Sequence, residues 1–149
     1  MSSTKQSLYD PAVAASVRER LERLTPTSTA RWGEMSIGQM LAHCADAQDV
    51  LNGKPLTGTP WWIRMAAPLI KPVVLSKRPF PRGLRTHPQY EVRDERPFAA
   101  EKQRLLRTLD DFEATGGGLE HDLFGHLSAN EVGWLAYKHL DHHLRQFGV

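Results

Sequence analysis

Between residues 54 and 97 the chain carries Pro55, Pro60, Pro68, Pro72, Pro79, Pro81, Pro88 and Pro97, most of the ten prolines in the sequence. Proline lacks a backbone N–H and disfavours helix in the residue before it, so this stretch cannot run as one uninterrupted helix. Trp61 to Leu75 reads as a short helix or two broken turns, and "SKRPFPRGLRTHPQYEVRDERP" reads as extended loop. A connection of this length is unusual between neighbouring packed helices and indicates a crossover or a functional cover.

Helical signals lie on both sides of it. In "DPAVAASVRERLERL" Asp10 suits an N-cap, Pro11 suits the first turn, and Val13, Val17, Leu21 and Leu24 recur at helical spacing. "SIGQMLAHCADAQDVL" opens with Ser36 and Gln39 at capping-box spacing and has an inner stripe of Ile37, Met40, Leu41, Cys44, Gln48 and Leu51. A third helix is expected over "FAAEKQRLLRTLDDF", with Phe98, Leu105, Leu109 and Phe112 on one side and "TGGG" ending it. No lysine followed by serine or threonine accompanies those glycines, so they are punctuation rather than a phosphate cradle. A fourth starts at a second capping box, Ser128 and Glu131, and runs to Phe147 before Gly148. The expected fold is all-α: a four-helix bundle over residues 1–149 as one domain, with a long crossover between the second and third helices. If the crossover returns the third helix parallel to the second, the order is up-down-down-up.

Basic and acidic residues, 19 and 17, leave a formal charge of +2 without a compact basic run, so no nucleic-acid partner is expected. The most apolar stretch, "WWIRMAAPLIKPVVL", contains two cations and two prolines and falls short of a bilayer span. It could lie on a membrane surface, but packing over a bundle is the commoner use of so mixed a pattern, and no membrane partner is expected. The N-terminus lacks a secretory pattern, and a lone cysteine, Cys44, precludes an internal disulfide. Both features fit a cytoplasmic protein.

Three of the seven histidines sit in "WLAYKHLDHHLRQFGV". At 100° per residue, His139 and His143 share a face with Val132, Leu135, Ala136 and Phe147, while His142 falls to its flank. Two imidazoles on an apolar face need partners, because each unpaired buried polar group costs on the order of 1–3 kcal/mol. A divalent ion clamped at i, i+4 would satisfy both, and a third ligand would come from elsewhere. Of His43, His87, His121 and His126, only His43 lies in a strong helical segment. On spacing alone, a metal site and ordinary hydrogen-bonded core histidines both remain open. Neither His-Glu-x-x-His nor Glu-x-x-His occurs, which removes the zinc-protease and di-iron bundle motifs.

"HLDHHLRQ" resembles the last-helix signature of the DinB-like metalloprotein superfamily, His-x-x-x-His with a glutamine three residues on. "RWGEMSIGQMLAHCADA" resembles its second helix, and these blocks with "LFGHLSANEVGWLAYKH" are similar to a branch known only as a domain of unknown function. The resemblance implies a four-helix bundle holding one divalent metal through His43, His139 and His143, and histidine ligands suit zinc and nickel alike. It also implies a small-molecule partner, with low-molecular-weight thiols used by some transferases and isomerases of the superfamily, and dimers as a common state. The chain departs from the pattern at His121-Asp122, where relatives tend to read His-Pro.

Such a site would support a metal-dependent thiol transferase or hydrolase acting on a small molecule; the alternative is a non-catalytic metal- or small-molecule-binding module. Asp46, three residues beyond His43, is a candidate base or a solvated edge residue. Gln39 and Gln146 could orient ligands or simply cap and hydrate. Cys44 reads as a buried thiol. Trp32, Trp61, Trp62 and Trp134 could line a cavity or pack in the core or an interface.

Overall fold

The computed structural model describes residues 4–149; the first three positions, part of the N-terminal stretch read above for secretory features, lie outside the described residues. Five α-helices and a small antiparallel sheet are present there: α1 (Pro11–Glu22), α2 (Ile37–Leu51), α3 (Trp61–Leu75), α4 (Phe98–Thr115), β1 (Leu119–His121), β2 (Gly125–Leu127) and α5 (Ala129–Gln146). A single 3-10 turn, Pro88–Tyr90, lies in the long connection.

The helices flanking the connection form for local reasons. Asp10 accepts from the Ala12 N–H at 2.8 Å, with Pro11 next to it. Ser36 and Gln39 make the reciprocal capping box that their spacing predicts, and Ser128 and Glu131 make the second. α2 is buried nearly all round because it packs most extensively against α4 and also against α5. Val17, Leu21, Met40, Leu41, Leu105, Phe112, Leu140 and Leu144 form the centre of one core built from α1, α2, α4 and α5. Gly38 is required in the first turn of α2, because a Cβ there would overlap the Arg96 carbonyl oxygen of the crossing chain.

In the middle of the chain, of the two readings for Trp61 to Leu75, one short helix or two broken turns, the first is what forms. α3 is a 15-residue helix despite Pro68 and Pro72. Both prolines are on its exposed side, where the carbonyls they leave without a donor can be hydrated. Its C-terminus is tied down by donors from elsewhere. Lys138 Nζ donates to the Val74 and Ser76 carbonyls at 2.8 and 2.9 Å, and Trp134 Nε1 and Lys5 Nζ donate to Leu75 O at 3.0 and 2.6 Å. Carbonyls at a helix end favour such donors, and two of them are cations. Local propensity says break; tertiary anchoring keeps the helix.

The departure from the expected all-α chain is the β1–β2 hairpin, in which Leu119 pairs with Leu127, Glu120 with His126 and His121 with Gly125. Asp122, at the point where the sequence departs from the His-Pro pattern, accepts from the Leu56 N–H at 2.7 Å. It thereby ties the hairpin turn to the chain leaving α2. No helix among the described residues is long and apolar enough to cross a membrane.

Candidate metal centre

α2 and α5 pack together, and their facing sides bring His43 to His139 and His143. The three ring centroids stand 4.7 to 5.0 Å apart. One nitrogen from each ring lies within 4.8 Å of the others, and His43 Nε2 is 3.0 Å from His139 Nε2. His43 and His143 are buried and His139 is half-buried. This cluster could hold a metal ion.

The hydrogen bonds behind the rings decide which nitrogens point inward. His43 Nδ1 is 2.8 Å from the Tyr90 carbonyl, which can only accept, so the proton sits on Nδ1 and Nε2 keeps its lone pair. Gln146 Nε2 donates to the Trp32 carbonyl at 2.9 Å, which turns its Oε1 toward His143 Nδ1 at 2.8 Å. His143 therefore also carries its proton on Nδ1 and presents Nε2. A backbone carbonyl and an amide oxygen behind the ring are the partners that orient metal-binding histidines. Two lone pairs thus converge beside a third imidazole. His139 can give an Nε2 proton to His43 Nε2 at 3.0 Å, or, with that proton on its other nitrogen, join both in facing one cation.

All three imidazoles are held neutral. Burial pushes His43 down, partly opposed by the Tyr90 carbonyl and the Asp46 charge. Burial lowers His139 well below the ordinary value, with the neighbouring imidazoles adding to it. His143 falls to about 3, chiefly through burial. Neutral imidazole is the form that binds metal, so the environment supplies it at ordinary pH.

The remaining candidates are engaged elsewhere. His87 caps the 3-10 turn and lies 2.8 Å from Thr59 Oγ1. His121 accepts from the Leu123 and Phe124 N–H groups and stacks on Phe124. His126 is exposed beside Glu120. His142 is a flanking ring, edge-on to Trp32, Phe80 and His143. Asp46 is bound by Arg104, whose Nη1 lies 2.8 Å from its carboxylate, and Arg104 also reaches Glu101. Gln39 is spent on its capping box and on the Arg93 and Asp94 carbonyls. Cys44 is buried against Met40, and burial pushes its thiol up, away from the reactive thiolate.

Beside His142 lies a cavity of about 400 Å³ bordered by Trp32, Phe80, Trp134, Tyr137 and Lys138. Trp32 and Trp134 thus line a cavity, whereas Trp61 and Trp62 face outward at 72% and 57% exposure. Lys138, absent from the sequence-level candidates, is buried beneath this cavity with Nζ 4.3 Å from the Phe80 ring centroid. Burial and then the Lys5 charge lower its ammonium to about 8. The sequence holds no signal for it, since a lone lysine on a helix reads as solvated. The Tyr90 and Trp32 carbonyls were likewise invisible, being backbone groups of irregular segments.

Fold and site together define a mostly helical protein with a buried three-histidine cluster between two packed helices. Residues 2–148 match the model of a family described as "Protein of unknown function (DUF1569)", and the chain belongs to that family. No curated protein and no solved structure matches it.

Proposed function

We propose that this protein is a DinB-like mononuclear metal protein in which His43, His139 and His143 hold one divalent ion, zinc or nickel, for use on a small molecule. On this reading α1, α2, α4 and α5 are the four helices of an up-down-down-up bundle, and α3 is carried on its long crossover. The observation that supports it most is the pair of hydrogen bonds that turn the Nε2 lone pairs of His43 and His143 toward His139.

Held by three neutral ligands, a divalent ion keeps its full charge and would lower the pKa of bound water or thiol or polarise a carbonyl. The chain's own residues have separable tasks. The Tyr90 carbonyl and Gln146 orient rings, burial keeps the imidazoles unprotonated, and the aromatic cavity beside His142 offers a small molecule a binding space. Its cationic border, Lys77, Arg82, Lys138 and Arg145 against Asp141, favours an anionic one. The reaction class that fits is thiol transfer or hydrolysis, with a low-molecular-weight thiol as co-substrate, in a cytoplasmic homodimer. A second reading, a module that holds metal or small molecule without turnover, is favoured by one observation: Arg104 occupies the Asp46 carboxylate, the nearest in sequence to His43.

The deciding experiment is elemental analysis of protein purified without an affinity tag. About one equivalent of divalent metal, lost with His143→Ala and accompanied by a lower melting temperature on chelation, is the expected result. No metal in the parent protein, or unchanged content in His143→Ala, refutes the assignment. Thiol-dependent turnover of small electrophiles by the loaded protein separates the enzyme from the binding module.

A further inference from the structure

Helix α3 presents Trp61, Trp62, Met65, Leu69 and Val73 to solvent, all between 57% and 78% exposed. At helical spacing these side chains form one outward stripe, while Ala67 and Leu75 face the protein. Apolar stripes of this size on a soluble surface mark an interaction site.

The charge around the stripe selects its partner. Residues 54–90 contain Lys54, Arg64, Lys71, Lys77, Arg78, Arg82 and Arg85 and no aspartate or glutamate, a charge of +7 where the whole chain carries +2. The remaining residues are therefore net negative, at −5. Arg64, Lys77, Arg78 and Arg85 are exposed, and none of the four forms an ion pair among the described residues. Arg64 lies at the edge of the apolar stripe, and Lys77 onward follow directly from the end of α3.

From this combination we propose that α3 and the cationic chain after it dock the protein on an anionic lipid surface, with the helix lying in the plane of the interface. Tryptophans settle at headgroup depth, aliphatic side chains reach the acyl boundary, and the cations meet the lipid phosphates. A second copy of this chain is a poorer occupant, because a two-fold contact through α3 would set +7 against +7. A nucleic acid would satisfy the cations but give Leu69 and Val73 nothing to pack against. That the segment is too short and broken to span a bilayer does not bear on a helix lying along one.

The test is co-sedimentation of the 149-residue chain with vesicles of phosphatidylcholine alone or of equal parts phosphatidylcholine and phosphatidylglycerol. Binding at least about tenfold stronger on the anionic vesicles, weakened by salt, is expected. The exposed double variant Trp61→Ser/Trp62→Ser should lose at least about tenfold. Arg78→Gln and Arg85→Gln should each lose up to about fivefold, the equivalent of one cation near a charged leaflet. Circular dichroism of the variants confirms that they fold, since every altered side chain is at the surface. Equal binding to both vesicle types, no binding to either, or variants that bind as the parent does would overturn the proposal. So would a lipid-free dimer, seen by sedimentation, that Trp61→Ser/Trp62→Ser dissociates, since that result assigns the stripe to a second copy.

Discussion

Gln146 connects the C-terminal turn of α5 to the loop before α2: it donates to the Trp32 carbonyl and accepts from His143. Replacing it with leucine leaves a buried carbonyl and a buried imidazole N–H unpaired and frees the His143 ring to turn. Gln146→Leu is expected to cost about 1–3 kcal/mol of stability and, on the proposed metal-binding function, to weaken metal affinity roughly 10–100-fold. Urea unfolding and competition against a chromophoric chelator measure the two effects. Retained affinity in a destabilised variant would leave Gln146 a purely structural residue. Gly38 is a second position where one atom decides. Gly38→Ala must push the Arg96 carbonyl away from α2 and is expected to destabilise by about 1–3 kcal/mol. Equal stability of the variant and parent in denaturant would show that the crossing chain yields freely.

At the scale of elements, α1, α2, α4 and α5 follow from signals that neighbours in sequence supply. Caps and apolar periodicity act within one or two turns, so they can be read without knowing the fold. α3 obeys different rules. Its prolines argue against a helix, and its own last turn has no side-chain cap beyond Ser76, whose hydroxyl donates to Val73 O at 2.7 Å. Lys138, Trp134 and Lys5 complete it from distant parts of the chain. Lys138→Met keeps the stem but removes both hydrogen bonds to the helix end, and is expected to lower stability by about 1–3 kcal/mol. Amide exchange should accelerate first in residues 61–90 and much less in α2 and α4. Uniform acceleration across the chain would indicate that α3 is not separately anchored by this lysine.

For the whole molecule, the buried neutral histidines link folding to pH. His43, His139 and His143 have lowered values in the fold and ordinary values, near 6.5, when unfolded. Below about pH 6.5 the unfolded chain takes up protons that the fold refuses, so stability is full above that pH and falls as pH drops. For His143 the loss continues until about pH 3. Each histidine contributes a slope of up to about 1.4 kcal/mol per pH unit. The melting temperature of metal-free protein should be level above neutrality and decline steadily through about pH 5. A melting temperature unchanged from about pH 8 to pH 5 would contradict neutral burial of these groups.

The sequence by itself determined four helices, the side chains that cap the start of three of them, and the inward placement of His139 and His143. Those are short-range properties, fixed by a period of 3.6 residues and by groups a few positions apart. His43 was singled out in the sequence as their partner, by its helix and by the resemblance. Tertiary structure alone decided that the Tyr90 carbonyl and Gln146 turn the nitrogens inward, and that the proline-containing segment is one helix rather than two broken turns. Backbone carbonyls carry no residue-specific signal, and donors that complete a helix end from far along the chain leave none nearby. The outward turn of Trp61, Trp62 and Leu69 was equally beyond the sequence. An apolar stripe has the same pattern whether it is covered by the core or left facing outward, and only packing distinguishes the two.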